Sequence, residues 1–281
     1  MTRWRLFVST ILIGAIVVPL FMPVWQLVNE PAAWSAWRAV SRILFLSRNT
    51  FFLTTGTLAL CLPAGIAVAI LVFRTDLPLR RALRALVVLT LFIPLPLFTS
   101  GWQAALGSGG WMSMDWWNAA HTPDPAFTAG RKAWSPWGQG LGTAICIHAA
   151  AGLPWVIWLV GLGLIWVDRE LDEDALTAAG SWRVLWRVTL PRAKISIAAA
   201  ALWVAVQTAT EITVTDVMQV RTFAEEVYSQ FVMPDVGQEG DGLARALAVA
   251  MPMTLIAAML VLAASNRWER TLPPSMAHER Q

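Results

Sequence analysis

The chain has 281 residues, 57% of them hydrophobic and 14% charged, with a mean hydropathy of +0.56. A water-soluble domain carries about 25% charged residues, and this little charge cannot cover the outside of so apolar a fold. The net charge is only +3 and the arginines are scattered, which excludes a basic nucleic-acid face.

Charge-free stretches run from Arg5 to Glu30, Arg48 to Arg74, Arg84 to Asp115, Lys132 to Asp168 and Arg245 to Arg267. Each can hold the roughly 20 apolar residues of a membrane-crossing helix. A shorter stretch lies between Lys194 and Glu211. None alternates apolar and polar residues as barrel strands do. The expected fold is therefore all-α, a multi-pass bundle of six spans at about 6–28, 50–73, 85–104, 141–167, 192–215 and 245–265.

Phe21, Met22, Trp25 and Gln26 stand where small residues would mark a signal-peptide cleavage site. The first helix is thus expected to stay as an anchor. Placing the N-terminus inside puts 14 of the 21 Lys and Arg residues on the cytoplasmic side, so both termini are expected there. The outer loop 104–140 holds Trp111, Trp116, Trp117, Trp134 and Trp137, which suits a segment lying in lipid headgroups. Pro19, Pro63, Pro94, Pro96, Pro154 and Pro252 fall inside the expected spans, where each frees a backbone carbonyl.

The connector 167–194 differs from the rest of the chain. Asp168, Glu170, Asp172, Glu173 and Asp174 come first, then Ala175, Ala178, Ala179 and Gly180, then Trp182, Arg183, Trp186 and Arg187. Acids suit a helix N-terminus, and Gly180 suits a left-handed helix end. Trp182 and Trp186, four apart, share a helix face. Pro191 fits the first turn of a new helix. Read from its residues alone, this is an amphipathic connector between two spans.

The same connector resembles the cytoplasmic signature of type-1 ABC importer permeases: Glu-Ala-Ala, three residues, Gly, then Ile-x-Leu-Pro. The matching positions are Asp174-Ala175-Leu176, Gly180 and Val188-Thr189-Leu190-Pro191, with the stretch from Gly180 to Pro191 about two residues short. A second register, starting from Glu173, places Ala179 in the glycine slot. The resemblance extends over about 49–266. Asn49-Thr50, Arg74-Thr75-Asp76-Leu77-Pro78 with Arg80-Arg81, and Arg221 to Tyr228 are most similar to the iron(III) branch of these permeases.

This likeness implies an N-terminal anchor and outer segment at 1–48, a transport domain at 49–266 and a cytoplasmic tail at 267–281. It implies that Glu173, Asp174, Ala175, Ala179, Gly180, Leu190 and Pro191 dock on a separate ATPase subunit, and that iron(III) is a candidate solute. It also implies a second permease subunit, an extracytoplasmic solute-binding protein and a place among the lipids of a bacterial inner membrane. The chain has no Gly-x-x-x-x-Gly-Lys-Ser/Thr phosphate loop, so an enzyme with its own ATPase site is not expected.

Ionisable residues inside spans are functional candidates. Thr208, Glu211 and Thr215 recur at helical spacing on one face of the fifth span, with Gln207 bordering it. Asp216 falls about 140° around that helix and is expected near the membrane boundary. These four, Gln207, Thr208, Glu211 and Asp216, are the candidate path residues. Cys146 and His148 sit two apart without further ligands, so packing is expected there rather than a metal. No catalytic residue and no cofactor is expected. Two other readings of the residues remain: an ion-coupled carrier with Glu211 as its proton site, and a membrane scaffold.

Overall fold

The computed structural model describes residues 2–107, 110, 137–167, 169–232 and 241–269. Every regular element among them is helical. Trp111, Trp116, Trp117, Trp134 and Asp168 lie outside the described residues, as does the tail from Arg270.

The helices are α1 (Thr2–Asn29), a 3-10 segment (Pro31–Ala39), α2 (Val40–Arg74), α3 (Arg80–Leu91), α4 (Leu95–Leu106), α5 (Leu141–Ile165), α6 (Arg169–Ala178), α7 (Ser181–Arg192), α8 (Lys194–Thr210), α9 (Thr213–Val217), α10 (Phe223–Val232) and α11 (Gly242–Glu269). Among the described residues three helical segments are long and apolar enough to cross a membrane, namely Pro31–Arg74, Leu141–Ile165 and Gly242–Ala263. Counting the bent pairs α3–α4 and α7–α8 as one span each brings the number to five. α1 is a further helix of 28 residues.

The chain divides into two compact units. The first comprises Met1–Leu46 and Phe223–Gln281. In it Leu27 and Ala33 pack with Ala244 and Ala248 of α11, and Ile43 packs with Phe223 and Val249. The indole N–H of Trp37 donates to the Ala248 carbonyl at 3.0 Å. Glu226, 2% exposed, forms an ion pair with Arg42 Nε at 2.9 Å and accepts from Gln230 Nε2 at 2.9 Å. Glu226 turns inward, because a buried carboxylate holds where cationic and amide donors meet it.

The second unit is Ser47–Thr222, built around α5. That helix is apolar apart from buried Thr143 and His148, and Val156, Val160 and Leu164 are wholly enclosed. α8 runs against it at close range. A Cβ on Gly152 would lie 3.1 Å from Val204 Cγ1, and one on Gly163 would collide with Ser196. Glycine therefore sets the spacing of this pair, as small residues do between helices in lipid.

Several boundaries differ from the sequence expectation. α2 starts at Val40 rather than near residue 50, because Arg42 and Arg48 are carried within the helix. The expected span 85–104 is two helices meeting at 99°. Pro94 is extended (φ −68°, ψ 144°), and a proline disfavours helical geometry in the residue before it. The expected span 192–215 starts at a 66° bend after Arg192 and stops at Thr210. Gly180 is extended (φ −66°, ψ 150°), so the left-handed helix end expected there is not formed. Pro191 stands in the first turn of a short α-helical stretch, Leu190–Arg192, that follows directly on a π-helical turn, Leu185–Thr189, within α7.

Candidate functional site

The helix α8 breaks where the chain reads Thr-Glu-Ile-Thr-Val-Thr, residues 210–215. β-Branched side chains lose rotamer freedom in a helix and are weak helix formers. Glu211 leaves helical geometry (φ −88°, ψ 137°). Its side chain turns forward onto the next helix. Oε1 accepts from the Thr213 amide at 2.6 Å and Oε2 from the Val214 amide at 2.9 Å. The carboxylate thus satisfies the open amides at the start of α9, where a negative charge is favoured.

A second polar group meets it from α5. His148, 4% exposed, places Nε2 3.8 Å from Glu211 Oε2, and this nitrogen has no hydrogen-bond partner. The imidazole and carboxylate face each other across the α5–α8 pair. They line a cavity of about 370 Å³ together with Trp155, Gln207, Thr208 and Thr210, closed on one side by Leu91, Ile93 and Leu95 at the α3–α4 bend. The α3–α4 bend and the break after Thr210 therefore border one cavity. Irregular backbone at membrane depth is tolerated where it lines such a space.

Gln207, Thr208 and Glu211 come together here as the sequence groups them, but for another reason. Glu211 is outside the helix, so the continuous face through Thr208, Glu211 and Thr215 does not exist. Thr215 is buried at 1% exposure in α9, and its hydroxyl donates to the Ile212 carbonyl at 2.9 Å. Asp216 is exposed on α9 and does not line the cavity. His148 is the residue that sequence reasoning set aside as packing. The one available signal was a polar side chain in an otherwise apolar helix.

The connector forms a separate polar element. α6 carries Glu173 and Asp174, both exposed, and the Thr177 hydroxyl donates to the Asp174 carbonyl at 2.6 Å. Ala175 and Ala179 are half-buried and joined by a backbone hydrogen bond of 2.9 Å. Gly180 then turns the chain, its carbonyl accepting from the amides of Arg183 and Val184. Trp182 and Trp186 stack edge to face on α7 at 5.7 Å between ring centroids and are 71% and 56% exposed. Val184 of α7 and Ala193 just after it are buried. Leu190 is half-buried and Pro191 exposed. Acids and a turn glycine are thus exposed on α6 and at its end, and the indoles are exposed on α7, whose Val184 and Thr189 are buried.

Among the described residues no group of three or more His, Cys, Asp or Glu side chains is placed to hold a metal ion.

Two solved structures share the fold. One is described as a bacterial alginate ABC transporter in complex with alginate pentasaccharide-bound periplasmic protein. It is 15% identical, with a TM-score of 0.67 over 96% of this chain and 94% of the other. The second is described as a bacterial ABC transporter involved in the import of the acidic polysaccharide alginate. It is 17% identical, with a TM-score of 0.59 over 97% of this chain and 100% of the other. No curated protein matches the sequence. Residues 61–276 match the sequence profile of the family described as binding-protein-dependent transport system inner membrane component. The bent spans, the outward-facing connector and this match together place the chain in that family, the permeases of type-1 ABC importers.

Proposed function

We propose that residues 49–266 form half of a solute pathway, driven by a separate ATPase that grips the 167–194 connector from the cytoplasm. The observation that carries this reading is the exposed set Glu173, Asp174, Trp182 and Trp186, the two indoles on a helix anchored by buried Val184 and Thr189. Charged and indole side chains left in the open on a rigid base suit a docking surface. The bend at Ala193 joins this surface directly to α8, and α8 ends at the Glu211 cavity. Movement of the connector is thereby transmitted to the cavity by one helix.

Gln207, Thr208 and Glu211 line the path in this reading, and His148 joins them. Asp216 is left out of the path because its side chain is on the exposed side of α9. A second permease chain supplies the other half of the pathway, and an extracytoplasmic solute-binding protein delivers the solute. The excess of Lys and Arg at the α2–α3 and α5–α8 connections supports cytoplasmic termini in a bacterial inner membrane. Iron(III) as solute rests on the sequence likeness at 49–50, 74–81 and 221–228 alone, and the two solved transporters carry alginate.

The test is co-purification of the full chain with its ATPase subunit. Reversal of Glu173 and Asp174 to lysine abolishes the complex and the coupled ATP hydrolysis. Unchanged association and turnover would refute the docking role. Uptake assays with ferric ion and with an acidic oligosaccharide, each with its own receptor, decide the solute.

A further inference from the structure

A second cavity, of about 480 Å³, lies away from Glu211 and is lined by Phe73, Arg74, Arg80, Arg84, Leu164 and Ile165, with Val167. Three guanidinium groups face it, and among the described residues no carboxylate does. Among the described residues, Asp76 holds Arg80 Nη1 at 2.9 Å, but its side chain is 98% exposed.

The arginines are held, not loose. Arg74 Nη2 donates to the Val167 carbonyl at 3.0 Å, which ties the end of α2 to the end of α5. Arg84 Nη2 donates to the Val72 carbonyl at 3.0 Å, and its guanidinium lies 4.5 Å over the Phe73 ring. That ring is fixed in turn. It occupies the notch left by Gly161, where a Cβ would collide with it, and meets Trp158 edge-on at 6.0 Å. Arg84 Nε is buried without a hydrogen-bond partner. A positioned guanidinium with spare donors binds an anion without first losing side-chain entropy. α3 starts here with Arg80, and Leu79 before it provides no side-chain cap, so the first amides of that helix add positive potential.

The surroundings select among anions. α2 and α5 are long apolar helices, and both end at this cavity, which puts it at a bilayer boundary. Its other walls are apolar: Phe73, the enclosed Leu164 and Ile165, which is 58% exposed. An arginine pocket with an apolar wall at that depth fits a ligand with a phosphate at one end and hydrocarbon at the other. We propose that this cavity binds the phosphate of an anionic phospholipid headgroup, with the acyl chains leaving along Ile165.

The test titrates the purified full-length chain, in nonionic detergent, with dioleoyl-phosphatidylglycerol, dioleoyl-phosphatidylcholine or inorganic phosphate. Retained lipid is read by native mass spectrometry and stability by thermal unfolding. Phosphatidylglycerol is expected to be retained and to raise the unfolding midpoint, and the other two are not. Loss of one charge-assisted contact weakens binding by about thirtyfold in R84Q. R80Q, whose described side-chain contact is to exposed Asp76, shows a comparable loss and guards against misfolding of R84Q. R81Q removes the same charge from an exposed position on α3 and costs no more than about fivefold, the diffuse surface effect. Equal retention of phosphatidylcholine, or equal losses in R81Q and R80Q, would overturn the proposal. So would full stabilisation by inorganic phosphate alone, which would assign the site to the free ion. Wild-type lipid binding together with loss of the ATPase subunit in R80Q would make it a protein contact instead.

Discussion

His148 Nε2 stands 3.8 Å from Glu211 Oε2, while both oxygens of that carboxylate accept backbone amides of α9. Glu211 therefore has two separable roles, a cap for α9 and a charge facing the cavity. Replacement by alanine removes both. The lost cap costs about 1 kcal/mol, a fall of about 2–4 °C in the unfolding midpoint of a chain this size. Glu211→Gln keeps a carbonyl acceptor and leaves the midpoint nearly unchanged. Solute uptake in reconstituted vesicles falls with both variants, by about tenfold or more if a charged contact to the solute is lost. Full uptake by the glutamine variant would restrict Glu211 to capping.

The connector makes a different prediction. Glu173 and Asp174 are exposed and outside the cores, so their reversal to lysine should leave the unfolding midpoint within about 0.5 kcal/mol of wild type. The effect appears only in pull-down of the ATPase subunit and in coupled hydrolysis. Trp182→Ala acts in the same assays without altering charge, because its indole is 71% exposed.

At the α5–α8 contact, Gly163→Ala drives a methyl group into Ser196. Overpacking of this kind costs about 1–3 kcal/mol. Ser196→Gly removes the obstructing side chain, and the double variant should recover most of the loss. A thermal-unfolding double-mutant cycle checks this, with strong non-additivity expected. Simple additivity would show that the two residues do not meet.

In the first unit, Glu226→Ala leaves Gln230 Nε2 without its acceptor and removes the partner of Arg42. The loss is about 2 kcal/mol, on the scale of an unsatisfied buried donor, since Arg42 is half-exposed and rehydrates. Glu225→Ala, at a less buried position on the same helix, is the control and should change the midpoint much less.

The helical class and most span positions were legible because charge-free stretches of this length have few other uses in a chain. The breaks were not. Pro94 and Pro96 were visible, yet proline inside a span bends it by an amount set by its neighbours, and here that amount is 99°. At Glu211 no glycine or proline announces the break; a run of β-branched residues weakens the helix and the carboxylate completes it by capping α9. The start of α2 is not legible because Arg48 closes the charge-free stretch at the span boundary, whereas the helix runs on through Arg48 and Arg42 to Val40, and Arg42 is held by Glu226 from a distant part of the chain. Contacts such as His148 with Glu211 depend on which helices lie together, and local periodicity does not encode that.

The tight seating of α5 on α8 limits how an importer of this design can move. The two helices are fastened at Gly152 with Val204 and at Gly163 with Ser196. Those points are about 16 Å apart along α5. Two fasteners so far apart prevent sliding and rolling, so the pair travels as a single plank. The compliance needed to open one side and shut the other must then reside at the ends of α8, in the elbow at Ala193 and the break after Thr210. In the proposed mechanism, stiffening either one would arrest the stroke while leaving the exposed connector residues in place.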